Sequence, residues 1–380
     1  MPPHASWTCL LFVPVLVSLW GLTGCGTAAV SAGADPIHMH LFCLASDAGD
    51  KVTCDPQERL AHLNAWVKEA IYQPHATFTI WQVGPDRSGS RRFFSACVPE
   101  RWGSQVSQAK SAFIQKAREG AGGSRTGLSV PAGCAPPSQT TPGRSQLVVF
   151  PDASPLPSDL WQKVVSGSPP AQIHSAIVCD RSESTQGASC TTSVLLGLFD
   201  RWVAEGLLLP GESLSVEMVG PLRDALRPFY QLRVPDLPVE ERIAYVLGAR
   251  VELVRLFAGG EQYGSTIAEA ISTAVRRLRE RRGVYRLTVL SDMQQITAGG
   301  FDFSMALPTP QAFLAWLQQK GLATDLQNIP VLVCGIPTGH FGHNSQAYAA
   351  RLQDVWQRLF QSQGAPEIQW FSSCEAAFAS

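Results

Sequence analysis

Charged residues are scarce in this chain, and neither sign prevails. They make up 16% of the 380 residues, and 30 Lys and Arg against 31 Asp and Glu leave a net charge of −1. Without a positive excess, nothing in the composition favours nucleic acid as a partner. The one basic run, residues 276–282, is short and predicts a solvated helix face. Hydrophobic residues reach 45%, which excludes disorder for most of the chain, and the length allows two domains.

Catalytic motifs are also missing. The sequence has no Gly-x-Ser-x-Gly, no GxxxxGK[ST] and no HExxH, so none of these three motifs indicates a serine hydrolase, a P-loop enzyme or a zinc protease. It has no CxxC pair either, although it contains 10 cysteines. Cysteines in this number without zinc-site spacing are typical of an oxidising compartment. We therefore expect an exported protein that is not an enzyme.

The N-terminus has no apolar run long enough to cross a bilayer. Residues 10–20 are apolar, and a run of this length is typical of the hydrophobic region of a signal peptide. The following Leu22-Thr23-Gly24-Cys25 resembles a bacterial lipobox, although no Lys or Arg precedes it. The resemblance implies cleavage before Cys25 and lipid attached to that residue. An ordinary secretory signal is the alternative, and both export the protein.

The residues after Cys25 refine the expected location. Gly26 rather than Asp follows the cysteine, and by analogy with Gram-negative sorting this favours the outer membrane if the host is Gram-negative. Residues 26–35 are small and polar and predict a flexible tether. The sequence thus predicts a signal peptide with lipobox over residues 1–25, a tether over 26–35, and a folded chain attached by lipid to the cell envelope.

An internal repeat organises the folded chain. Shifted by 136 positions, residues 36–99 align with 172–235 without a gap and share 18 identities in 64 positions, where background frequencies give roughly four. Matched pairs include His38 with His174, Cys43 with Cys179, Cys54 with Cys190, and Trp66 with Trp202. The repeat predicts two related units, which we place at residues 36–171 and 172–380.

Both units have the sequence pattern of an α/β fold. Short apolar runs alternate with segments whose apolar residues recur at helical spacing, and this alternation predicts a doubly wound, mostly parallel sheet. The predicted strands include residues 37–43, 77–83 and 146–150, and then 173–179, 213–219, 286–290, 329–334 and 368–371. Because only the second unit continues past its copy of 146–150, we expect it to be complete and the first to be truncated.

The second unit carries a series of oxygen-bearing side chains. Asp180, Ser182 and Ser184 follow its first strand, Thr266 opens a helix, and Asp292 ends a later strand. This order resembles the metal-ion-dependent adhesion site of the von Willebrand factor A (vWA) domain, over residues 172–380. The resemblance implies that these five residues hold Mg²⁺ or Mn²⁺ and that an Asp or Glu of a protein partner completes the coordination.

The residue types suit this chemistry independently of the family. Mg²⁺ prefers hydroxyl, carboxylate and water oxygens, and open α/β sheets bind ligands at the carboxyl ends of their strands. One departure is Met293, which stands where the family usually has Gly. The first unit has Leu44 in place of Asp180 and Ala48 in place of Ser184. We therefore expect the first unit to be a degenerate copy that holds no ion.

Eight cysteines remain once the signal peptide and Cys25 are set aside. Repeated spacing suggests two bridges, each from a strand end to the next helix, and the other four cysteines form two further pairs. The predicted pairs are Cys43–Cys54, Cys179–Cys190, Cys97–Cys134 and Cys334–Cys374. The Cys179–Cys190 bridge would brace the metal loop. Buried free thiols are the alternative.

Together these features predict an envelope lipoprotein that binds a protein partner through a Mg²⁺-dependent vWA adhesion site. Adhesion, envelope assembly, and a secretion or conjugation apparatus are all compatible settings. Three alternatives stay open. A metal-dependent hydrolase would use the same oxygens and would need a general base near the ion, for which Glu183 is the only obvious acid in the loop. A solute-binding lipoprotein would clasp its ligand between the two α/β lobes without needing Asp180, and a structural subunit would carry a vestigial metal site.

Overall fold

The computed structural model describes the chain from Pro36 to Cys374 with several gaps. The described residues are 36–44, 54–84, 89–122, 129–130, 144–150, 171–182, 190–206, 208–219, 228–258, 266–296, 301–303, 306–335 and 345–374. The predicted signal peptide, lipobox and tether lie outside them. In the described part of the chain, no helix is both long and apolar enough to cross a membrane.

The first repeat forms one sheet. Its elements are β1 (Ile37–Leu44), α1 (Pro56–Ala70), β2 (Thr77–Val83), β3 (Arg91–Cys97), α2 (Val106–Gly122), β4 (Ser129–Val130) and β5 (Arg144–Phe150). The strand order is β4-β3-β2-β1-β5. β1 is parallel to β2 and β5, while β3 is antiparallel to β2. α1 begins where the Asp55 carboxylate accepts from the Gln57 N–H and Pro56 occupies the first turn,.

The second repeat forms a larger sheet. Its elements are β6 (Ile173–Asp180), α3 (Thr192–Glu205), β7 (Ser213–Val219), β8 (Tyr230–Arg233), α4 (Val239–Phe257), α5 (Ile267–Arg279), β9 (Val284–Leu290), α6 (Pro310–Gln319), β10 (Val331–Cys334), α7 (Ser345–Ser362) and β11 (Ile368–Phe371). The order is β11-β10-β9-β6-β7-β8, with β8 antiparallel and the other neighbours parallel. Counted from β6 this is the 3-2-1-4-5-6 order of doubly wound folds. The predicted fold class is confirmed.

The two sheets pair their strands in matching register. β1 and β2 align His38 with Thr77, and β6 and β7 align His174 with Ser213. In each pair the histidine Nδ1 lies 2.9 or 3.0 Å from the hydroxyl oxygen. These histidines therefore join strands rather than hold a metal. The limits of the units, 36–171 and 172–380, stay predictions, because residues 151–170 lie outside the described chain.

Helix α4 lies between the two sheets. On one side it packs with α3 against β6, β7 and β8, and on the other it contacts β1 and β2. Phe42, Leu44, Trp81 and Val83 of the first sheet belong to the same core cluster as α4. The Ser90 hydroxyl also donates to a backbone carbonyl of α4, at 3.1 Å. The first sheet is thus covered by α1 and α2 on one face and by a helix of the second repeat on the other.

The outer face of the second sheet is covered by α5, α6 and α7. Aromatic rings fill much of this layer, with Phe303, Phe313 and Trp356 fully buried against one another. The carboxyl edge of β6 and β9 is therefore set between two packed helical layers. Side chains at the ends of these strands are held in fixed positions by that packing.

Candidate metal site

The carboxyl ends of β6 and β9 bring two aspartates to one edge. β6 ends at Asp180, and Asp292 follows β9 by two residues. The strands are adjacent and parallel, with Cys179 beside Leu290, so Asp180 and Asp292 emerge together. Both side chains are 0% exposed. Two buried carboxylates at one edge are costly unless something of opposite charge or several donors compensate them.

Hydrogen bonds fix the Asp180 carboxylate. The Ser182 N–H donates to its Oδ1 at 2.9 Å, and the Ser291 hydroxyl donates to its Oδ2 at 2.7 Å. Burial raises the pKa of Asp180, while the hydrogen bonds from Ser291 and Ser182 act in the opposite direction. Each carboxylate oxygen therefore accepts a hydrogen bond, and the two bonds fix the orientation of the Asp180 side chain.

The loop after β9 is folded around the second aspartate. The Gln294 N–H donates to Asp292 Oδ1 at 2.9 Å, and the Met293 N–H donates to the Ser291 hydroxyl at 2.9 Å. Ser291 thus accepts from its own loop and donates to Asp180, which joins the two strand ends. The Ser291 hydroxyl is the group that makes both contacts.

Met293 takes a backbone conformation that favours glycine. Its φ is +63°, in the left-handed region,. Its side chain is fully buried in the core cluster that includes α5, α6 and α7, and its carbonyl accepts from the Trp356 indole N–H at 2.9 Å. The Met293 side chain therefore lies in the hydrophobic core, and its backbone keeps the left-handed turn that a glycine would also adopt.

Thr266 is the residue before α5 and is 5% exposed. The start of this helix is tied to the loop after β9 by Gln295. Its Oε1 accepts from the Ala268 N–H at 2.8 Å, and its Nε2 donates to Glu269 at 2.9 Å. Gln295 and Glu269 were not predicted as site residues. In the sequence, they could have been recognised as polar residues directly after an apolar strand and in the first turn of a helix.

The structure brings four of the five predicted ligands to this edge. Asp180, Ser182, Thr266 and Asp292 are all buried and come from three segments that contact one another. Ser184 lies outside the described residues. The donors are carboxylates and hydroxyls, which suit Mg²⁺ or Mn²⁺. Among the described residues there is no group of three or more His, Cys, Asp or Glu that could hold a metal ion.

A disulfide begins at the residue that precedes Asp180. Cys179 precedes Asp180 and is bonded to Cys190, which closes the loop that carries Ser182. Cys43–Cys54 closes the matching loop of the first repeat. Cys334–Cys374 joins the last residue of β10 to the segment after β11. These are three of the predicted pairs. Cys97 is also disulfide-bonded, and its predicted partner, residue 134, lies outside the described chain.

Tyr348 of α7 lies near the second aspartate and was not predicted as a site residue. Its hydroxyl donates to the Phe303 carbonyl at 2.6 Å. Burial, with the negative charges of Asp292 and Asp302, raises the pKa of Tyr348 to about 12. The phenol therefore stays protonated and remains a hydrogen-bond donor beside the carboxylates.

No family model and no curated protein matches this sequence. Among solved structures, the chain is similar to the ArnB paralog VWA2 from Sulfolobus acidocaldarius, at 9% identity and a TM-score of 0.33, over 56% of this chain and 44% of VWA2. It is also similar to proximal thread matrix protein 1 from the mussel byssus, at 11% identity and a TM-score of 0.30, over 91% and 94% of the two chains. The match spans less than half of VWA2. At these identities and TM-scores, neither similarity supports a conclusion about function.

Proposed function

We propose that this protein binds a partner protein through a divalent cation at the carboxyl edge of β6 and β9. The observation that supports this proposal is the Ser291–Asp180 hydrogen bond. It joins two strand ends that each bear a fully buried carboxylate. Asp180, Ser182, Ser184, Thr266 and Asp292 would hold Mg²⁺ or Mn²⁺. When bound, the ion supplies an open coordination position for a carboxylate of the partner. The chain's own residues orient the oxygens and exclude water from the loop.

The proposed setting is the cell envelope, with the chain attached by lipid at Cys25. Three disulfides support an oxidising compartment,. The outer membrane is the proposed location if the host is Gram-negative. We propose a binding role and no enzymatic activity.

A solute held between two lobes has less support. Helix α4 occupies the space between the sheets and contacts both of them. A cavity of about 280 Å³ does lie beside Trp81, Arg91 and Tyr245, where the first sheet meets α4. A solute site there would leave ligand binding unchanged in Asp180→Ala, which separates it from the metal proposal.

The test is calorimetric titration of Mg²⁺ and Mn²⁺ into the chain from residue 26, which retains the whole compact unit Asp35–Ser380. We expect saturable binding that Asp180→Ala abolishes. The matched control is Asp325→Ala, because Asp325 belongs to the same repeat and its side chain is 63% exposed. Binding that survives in Asp180→Ala would contradict the site.

Partner binding provides the second part of the test. Candidate partners retained by the immobilised protein should be released by EDTA and restored by Mg²⁺, because the ion is the contact point. If the protein binds neither ion and its partners resist EDTA, the metal-dependent function is wrong. The structural-subunit alternative with a vestigial site would then be favoured.

A further inference from the structure

Arginines border the amino edge of the second sheet, opposite to the candidate metal site. The basic run 276–282 was expected to be a solvated helix face, yet several of its members have defined partners. Arg277 pairs with Glu217, which is 1% exposed, and Arg279 pairs with Asp325 at 3.3 Å. Arg276 is exposed on the same helix. Arg281 is half-buried like Arg277 and Arg279, but a second arginine, Arg233, lies near it.

A chain of contacts across three strands builds this edge. Arg233, the last residue of β8, lies opposite Ser213 of β7. The Ser213 hydroxyl lies 3.0 Å from His174 Nδ1 on β6, and His174 Nε2 donates to the Arg282 carbonyl at 3.1 Å. Because Nε2 is the donor, Nδ1 of the neutral imidazole accepts from Ser213. The turn after α5 is thereby fixed to the start of β6.

Close backbone packing holds the same turn in place. A Cβ on Gly283 would lie 2.2 Å from the Gln172 carbonyl oxygen and 2.9 Å from the His174 ring. The position therefore admits only glycine without movement of the neighbouring strand. Arg281, two residues earlier, is consequently presented from a rigid turn rather than from a flexible helix end.

The side chain of Arg281 has a donor that the protein leaves unsatisfied. Its Nη1 is buried, and no acceptor lies within hydrogen-bonding distance. Burial and the positive charge of Arg233 both lower the pKa of Arg281, against the opposing effect of Glu280. A buried guanidinium donor without an acceptor, close to a second guanidinium, is unfavourable unless an anion is present.

We propose that Arg281 and Arg233 form a binding site for a phosphate group at the amino edge of the second sheet. Guanidinium groups offer planar pairs of N–H donors that match phosphate oxygens. A phosphate between the two arginines accepts from their accessible N–H groups and neutralises the repulsion between the side chains. The site lies at the opposite end of the strands from Asp180 and is independent of the metal.

Titration of inorganic phosphate into the chain from residue 26, at low salt, tests the proposal. We expect saturable binding that weakens at least about tenfold in Arg281→Gln, because charge-assisted hydrogen bonds are lost. Arg233→Gln should weaken it as well. Arg276→Gln is the matched control, with the same loss of charge from an exposed position of α5, and should change affinity by less than about twofold.

A free phosphate anion and a lipid headgroup both carry the required chemistry, and vesicles distinguish these two sources. Binding to phosphatidylglycerol vesicles but not to phosphatidylcholine vesicles, lost in Arg281→Gln and competed by phosphate, identifies a headgroup. Phosphate binding without vesicle binding identifies a free anion. No saturable binding of either probe, or equal losses in Arg281→Gln and Arg276→Gln when thermal unfolding shows both variants folded, would overturn the proposal.

Discussion

The two repeats share a scaffold and differ at one edge of it. In both, the first two strands pair in the same register, a histidine near the strand start meets a hydroxyl, and a disulfide closes the following loop. At the strand end, Leu44 of the first repeat packs in the core that contains α4, whereas Asp180 binds Ser182 and Ser291. Register and disulfides therefore serve the fold, while the carboxylate at the end of the first strand is particular to the second copy.

The repeats also differ in how their sheets are covered. The second sheet has its own helices on both faces, α3 and α4 on one and α5 to α7 on the other. The first sheet has α1 and α2 on one face and uses α4 for the other. Leu44 in place of Asp180 fits this arrangement, because the strand end in the first repeat packs in the hydrophobic core that contains α4.

The largest expected effect concerns His40, whose counterpart in the second repeat is Ala176. Burial and the neighbouring His38 lower the pKa of His40 to about 3, from 6.5. As the pH is lowered, the His40 imidazole is protonated in the unfolded chain before it is protonated in the folded protein. The free energy of unfolding should therefore fall as pH drops from about 6.5 towards 3. The fall should reach about 3–5 kcal/mol.

His40→Ala gives the first repeat the residue of the second and should reduce that dependence on pH. Urea unfolding at pH 7, 5 and 4 measures the slope for both proteins. The cavity left by the substitution lowers stability at every pH, so the slope is the informative quantity. Identical slopes would mean that His40 is not a buried neutral group.

The disulfides provide the next comparison. Replacing Cys179 and Cys190 by alanine, or Cys43 and Cys54, removes a bridge of sequence separation 11 in either repeat. Each double variant should lose about 3 kcal/mol of stability in the chain-entropy model. Only the first should weaken Mg²⁺ binding, by about tenfold, since only that bridge braces proposed ligands. Equal effects on Mg²⁺ in the two variants would remove the functional difference between the loops.

Met293 tests the left-handed turn after β9. Met293→Ala and Met293→Gly both lose a buried side chain, at a cost of about 2–5 kcal/mol. Because φ is +63°, the glycine variant should be about 1 kcal/mol more stable than the alanine variant. Thermal unfolding measures both. An alanine variant as stable as the glycine variant would argue against the left-handed conformation.

The smallest effect concerns the matched tryptophans. The Trp66 indole N–H donates to the Ile37 carbonyl at 3.2 Å, whereas the Trp202 indole N–H is buried without an acceptor. Phenylalanine at either position removes a similar volume, but only Trp66→Phe breaks a hydrogen bond. It should therefore cost about 1 kcal/mol more than Trp202→Phe. Chemical denaturation compares them, and the reverse order would contradict the assigned contacts.

Much of the fold could be predicted from the sequence because strand ends are marked by sharp changes in polarity. The predicted strand 213–219 coincides with β7, and β6 extends its prediction by one residue, Asp180. Helix α6 was not predicted, although Thr309 and Pro310 form a recognisable helix start,. The repeated cysteine spacing predicted Cys43–Cys54 and Cys179–Cys190 because equal spacing on matched strands fixes equal geometry.

The candidate site was only partly predictable, because its supporting contacts are tertiary. Polarity and order suggested Asp180 and Asp292, but the bridge through Ser291 depends on the register between β6 and β9. The roles of Gln295 and Glu269 depend on how α5 approaches that loop. The double packing of α4 had a weak signal, since apolar residues occur around much of its circumference,.

The shared helix makes the two repeats mutually dependent. A protein cut between the copies would expose the surface of α4 that Phe42, Leu44, Trp81 and Val83 cover. The first sheet, separated from α4, would show an apolar face to water. The repeat boundary visible in the sequence therefore falls inside one compact unit, Asp35–Ser380, whose two copies share a hydrophobic core.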